Sequence, residues 1–164
     1  MHRVVVSSGC VPRCAACDRC RHDGRSPKAD EILAVDGDAL LLGGGDATRF
    51  VGLAELLQKN RALAAPKRIV VEAPSRSLTR AVLDDLAARG ATGVLVHVEA
   101  FGEKLLAALG ERDPRDVVRD AESAGLEVEL RVAVRPATFP IAYPIARALA
   151  PRVVWLELAR GDAG

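Results

Sequence analysis

The stretch Glu127-Val128-Glu129-Leu130-Arg131-Val132-Ala133-Val134-Arg135 decides the fold. Glu127, Glu129, Arg131 and Arg135 share one parity and Val128, Leu130, Val132 and Val134 the other, so the segment reads as a β-strand with one charged and one apolar face. The run Gly93 to Glu99 repeats the device, with Val94, Val96 and Val98 opposite His97 and Glu99. Glu72, in the run Arg68 to Ala73, and Glu157, in Arg152 to Leu158, can join the polar set. Arg3 to Ser8 and Ala39 to Gly43 complete six short strand-like runs, whose starts lie roughly 25 to 36 residues apart.

Helical periodicity fills most of the intervals. Ser26-Pro27 opens a first helix, Gly52 to Ala65 forms a second, and Leu78 to Arg89 a third that stops at Gly90. Asp113-Pro114 reads as an N-cap followed by proline at the first helical position, with Gly125 as the stop, and Ile141 to Ala150 is the last helix. Strands alternating with helices predict βαβ units and a parallel sheet. A closed eight-stranded barrel typically needs ~250 residues, more than this chain of 164 provides. A doubly wound sheet has helices on both faces and asks for nearly continuous apolar strands, which the charged parity does not supply unless those charges sit at solvated strand ends. The expected fold is therefore α/β: a partial, three-quarter TIM-like barrel of about six parallel strands and five helices. It forms a single domain over residues 1–164, with a polar interior and ligands at the carboxyl ends of the strands.

Composition narrows the partners. With 23 basic and 22 acidic residues the net charge is +1, so no global field draws the protein to nucleic acid or an anionic membrane. Aromatic residues are only 3%, too few for base-stacking platforms, and no nucleic-acid partner is expected. Nothing approaches the ~20 apolar residues that span a bilayer. Val4 to Val6 before Ser7-Ser8-Gly9-Cys10 is too short for the apolar region of a lipoprotein signal. A cytoplasmic location is expected.

All four cysteines, Cys10, Cys14, Cys17 and Cys20, fall within eleven residues. They could close only tiny loops, so metal binding explains them better than a disulfide framework. The spacing Cys-x3-Cys-x2-Cys over Cys10, Cys14 and Cys17 lets one loop present three thiolates to a cubane iron-sulfur cluster. Cys20 and His22 could instead complete a zinc site. Arg13, Arg19 and Arg21 lie among them, and positive charge favours thiolates.

This loop after the first strand, Cys10-Val-Pro-Arg-Cys14-Ala-Ala-Cys17, resembles the hallmark of the radical S-adenosylmethionine (SAM) superfamily. A second motif, Gly43-Gly44-Gly45-Asp46-Ala47-Thr48 at the end of the second strand, is similar to that family's Gly-Gly-Glu-Pro-Thr stretch. The resemblance spans essentially the whole chain. It implies that Cys10, Cys14 and Cys17 ligate three irons of a 4Fe-4S cluster whose fourth iron binds SAM. Reduction would then cleave SAM to a 5'-deoxyadenosyl radical that abstracts hydrogen from a substrate. It further implies that Gly44 and Gly45 let the backbone approach the methionine end of SAM, and that Asp46 accepts from its amino group. Glu99, with His97 second, would bind the ribose hydroxyls, and Arg131, or Arg135, the carboxylate. The implied partners are a reductant of flavodoxin or ferredoxin type and a small-molecule or peptide substrate. Ala16, Asp46 and Ala47 depart from the family pattern, where an aromatic, Glu and Pro are common. They keep open a non-catalytic iron-sulfur or zinc module on the same scaffold. Only Ala159 to Gly164 follow the sixth strand, so a partner chain or the substrate itself is expected to cover the barrel mouth, and a subunit whose lumen another chain completes is a second alternative.

Overall fold

The computed structural model describes residues 1–6, 27–98, 103–134, 139–149 and 154–158. Six strands, β1 (His2–Val5), β2 (Ala39–Gly43), β3 (Arg68–Pro74), β4 (Gly93–Val98), β5 (Glu127–Val134) and β6 (Val154–Leu158), form one sheet. Their order is β1-β2-β3-β4-β5-β6 and all five pairings are parallel. A doubly wound sheet reverses direction at a switch point; here every crossover steps the same way. Crossovers of one hand that never reverse put all helices on one face.

The buried side chains agree. Leu40, Leu42, Ile69, Val71, Val94, Val96, Leu130 and Val132, all of one parity, share a core with Ile32, Leu56, Leu57, Leu83 and Val117 from the helices. On the opposite face of the sheet, the inner face in the expected barrel, the apolar cluster among the described residues shrinks to Leu41, Val70 and Leu95. The remaining inner positions of β3, β4 and β5 include the charged and histidine residues that set the strand parity.

The helices are α1 (Ala29–Leu33), α2 (Leu53–Arg61), α3 (Arg80–Arg89), α4 (Glu103–Leu109), α5 (Pro114–Ser123) and α6 (Phe139–Leu149). Punctuation read from sequence works at Asp113-Pro114 and at Gly90, and Thr79 adds a cap that the sequence reading did not name. The Asp113 carboxylate accepts from the Arg115 amide at 2.9 Å with Pro114 at the first helical position, and Thr79 caps α3 through the Val82 amide at 3.3 Å. Gly90 ends α3 at φ 101°, a conformation that costs L-residues a Cβ clash.

Several expectations need correction: α2 ends at Arg61 rather than Ala65, α3 begins at Arg80 behind the Thr79 cap rather than at Leu78, and α6 begins at Phe139 rather than Ile141. The described residues hold six α-helices rather than five, because the β4-to-β5 crossover carries both α4 and α5. The two turns of α4 escape notice because Ala100-Phe101-Gly102 before it offers no Ser, Thr, Asp or Asn cap. The first helix begins at Ala29, not at Ser26-Pro27, since the Glu31 carboxylate turns back to the Lys28 amide at 3.0 Å and closes the N-terminus there. Among the described residues no helix is long and apolar enough to cross a membrane.

Candidate functional site

The inner face carries one carboxylate at its centre. Glu72 is fully buried, and its two oxygens are shared among three strands besides its own. Oε2 accepts from Arg3 Nη2 of β1 at 2.9 Å. Oε1 accepts from Arg131 Nη1 of β5 and stands 2.6 Å from His97 Nε2 of β4. The register explains the convergence, because His97 and Arg131 are paired positions in adjacent strands and Glu72 lies on the same face one pleat earlier in β3.

β2 contributes an absence of side chain. A Cβ at Gly43 would fall well inside van der Waals contact of Glu72 Oε2 and 2.8 Å from Arg3 Nε. Glycine is therefore what allows Arg3 to cross β2 and reach β3. Burial pushes the Glu72 carboxyl upward, but the His97 contact, the charges of His97 and Arg131 and the Arg3 hydrogen bond outweigh it and hold it at about 2. A carboxylate this deep is tolerable only because it is paired and hydrogen-bonded.

A second polar cluster sits just beyond β2. Gly44 and Gly45 have φ of 113° and 112°, in the left-handed region that favours glycine. Asp46, buried, then caps the turn Ala47–Arg49: Oδ1 accepts from the Thr48 amide at 3.2 Å and from the Thr48 hydroxyl. Oδ2 accepts from the Ser77 hydroxyl at 2.6 Å. Nearby, Glu111 receives the Ser75 hydroxyl, the Arg76 amide at 3.0 Å and the Arg76 guanidinium, tying the end of β3 to the α4–α5 connection. These bonds hold the loops at the carboxyl end of the sheet, where parallel α/β architectures bind ligands.

Of the residues singled out in sequence, the structure brings His97 and Arg131 together on Glu72, and sets Gly44, Gly45 and Asp46 in one turn next to Gly43. Cys10, Cys14, Cys17 and Glu99 lie outside the described residues, as do Cys20 and Arg135. Sequence reasoning missed Arg3, Gly43 and Ser77, and gave Glu72 no central part. A signal for Glu72 existed, since it is the lone charge within Ile69-Val70-Val71-Glu72-Ala73. Arg3 had only its parity.

The arrangement offers guanidinium and imidazole donors on one side and a glycine turn on the other, a chemistry suited to a polar, anionic small molecule. Compared with known proteins, the chain matches no family model and no curated protein sequence.

Proposed function

We propose that the protein is a radical SAM enzyme built on a three-quarter TIM-like barrel. One juxtaposition carries the reading. Val6, four residues before Cys10, donates its amide to the Gly43 carbonyl at 2.9 Å, so the end of β1 lies beside the residue that opens the Gly44-Gly45-Asp46 turn. Two motifs that the resemblance assigns to one cofactor thus follow, in sequence, paired ends of neighbouring strands.

The described residues fit SAM: the turn at Gly44 and Gly45 has no side chain, and donors line the adjoining inner face. Gly44 and Gly45 would admit the methionine end. Asp46 uses its oxygens to hold Thr48 and Ser77, and a carboxylate offers about four lone-pair sites, which leaves room for one more donor, the SAM amino group. Arg131 would take the carboxylate, and His97 with Glu99 the ribose. Cys10, Cys14 and Cys17 would ligate the 4Fe-4S cluster on the strength of their spacing. When bound, cluster and SAM together supply a carbon radical able to take hydrogen from a substrate, given one electron from a flavodoxin- or ferredoxin-type donor. The chain's own work is to bind, orient and keep water away. The substrate is a small molecule or peptide.

The test is anaerobic reconstitution of the full chain with iron and sulfide, followed by paramagnetic resonance of the reduced protein with and without SAM. The reading expects a reduced cubane signal that SAM perturbs, and loss of the signal in Cys14→Ala. Zinc retention in place of iron, or a cluster whose spectrum ignores SAM, would contradict it.

A further inference from the structure

The described residues of the inner face carry two charge clusters along the strands. Toward the amino ends, one guanidinium, Arg68, meets two carboxylates, Glu127 at 2.6 Å and Glu129 at 3.1 Å. Toward the carboxyl ends two guanidiniums, Arg3 and Arg131, and His97 converge on the Glu72 carboxylate. Exposure is graded across this cluster. The Glu72 side chain is 0% exposed, those of His97 and Arg131 12%, and that of Arg3 34%. A molecule entering this face therefore meets N–H groups, while the carboxylate lies behind them.

Arg3 is the arm set apart. Its Nη2 engages Oε2, whereas Arg131 and His97 gather on Oε1. Glu72 is its one partner among the described residues, and four of its five N–H donors are left over. The guanidinium lies over Gly43 and is tied to Oε2 through Nη2, so part of its rotamer freedom is already spent before a ligand binds.

We propose that Arg3, anchored on Glu72 across Gly43, is the seat for an oxyanion, the carboxylate or phosphate of a small-molecule ligand. The radical SAM reading gives Arg3 no role, and the inference goes beyond that reading without resting on it. The same chemistry has two possible sources, a substrate or the carboxylate of SAM, and the proposal commits to the substrate.

The experiment is equilibrium dialysis of the full chain, with and without reconstituted iron, against labelled inorganic phosphate and labelled acetate. Saturable binding of at least one anion at one site per chain is expected. Arg3→Gln should weaken it about tenfold or more, while Arg68→Gln, at the other end of the same face, leaves it within about twofold. The fold should survive Arg3→Gln, because Glu72 keeps Arg131 and His97. A readout that needs no variant is phenylglyoxal modification mapped by mass spectrometry, in which the bound anion should protect Arg3 and not Arg68. Absence of saturable binding, equal affinity in Arg3→Gln, equal protection of both arginines, or one-for-one displacement by SAM would each overturn the proposal. Anion binding through Arg3 in a chain that does not cleave SAM would uphold this inference against the radical reading. SAM cleavage with neither anion bound would do the reverse.

Discussion

The two faces of the sheet come from the same strands, alternate residue by alternate residue, yet they are held by different physics. The helix-facing side is a continuous apolar layer from Leu40 through Val132, with many interchangeable contacts. Among the described residues the inner side has a small buried apolar cluster, Leu41, Val70 and Leu95, and beyond it a carboxylate with three partners. Hydrophobic burial is non-directional and scales with area, so the first face should lose stability in proportion to volume removed. A buried ion cluster must be satisfied atom by atom, so the second should respond to charge, to single atoms and to pH. The first face can vary and still fold; the second suits a site that must present donors in fixed places.

The largest break in this contrast is Glu72→Ala. It strands two arginines against a low-dielectric wall and should cost about 3 to 5 kcal/mol in urea unfolding at pH 7. The wild-type cluster also predicts a pH signature. The Glu72 carboxyl is lowered from 4.5 to about 2, so its contribution is complete above the unfolded value and is lost as pH falls from about 5 to about 2. At 1.36 kcal/mol per unit this amounts to about 3 kcal/mol. Urea midpoints at pH 7, 5, 4 and 3 should fall for the wild type and lose that portion of the slope in Glu72→Gln. Leu130→Ala, on the other face, should cost about 2 to 5 kcal/mol by transfer and cavity terms, with the wild-type pH dependence retained. Gly43→Ala should cost about 1 to 3 kcal/mol, because its Cβ meets Oε2 of a Glu72 carboxylate whose two oxygens are pinned by Arg3 on one side and by His97 and Arg131 on the other. Its crystal structure should show the Arg3–Glu72 pair broken. The smallest change is Thr79→Ala, which removes only the cap of α3 and should lower the urea-derived stability by about 1 kcal/mol.

Sequence made one half of this contrast readable and hid most of the other. The parity of Glu127 to Arg135 separates the faces because period-two alternation is a local property of one strand. Ala39–Gly43 coincides with β2, and Asp113-Pro114 and Gly90 mark helix ends, because caps are also local. Arg3 and Glu72 are 69 residues apart and separated by an intervening strand, so their pairing depends on register, which no single strand declares. Gly43-Gly44-Gly45 reads as one turn, whereas the first glycine serves a side-chain crossing and the next two serve backbone at positive φ. Asp46 reads as a ligand for a cofactor amine. Its bond to Thr48 was within reach of local reasoning, and its bond to Ser77, 31 residues on, was not. The helix α4 hid because the sequence just before it, Ala100-Phe101-Gly102, has no Ser, Thr, Asp or Asn to signal a start.

The radical SAM reading ties the glycine turn, the cation-lined inner face and the three cysteines of one short segment to a single reaction, and that reaction leaves a stable product. The decisive measurement is 5'-deoxyadenosine formed by the anaerobically reconstituted, dithionite-reduced full chain supplied with SAM. The account predicts that product in the wild type and its loss in Cys10→Ala, Cys14→Ala and Cys17→Ala. A fully loaded, reduced cluster that forms no 5'-deoxyadenosine, or formation that survives those substitutions, would contradict it.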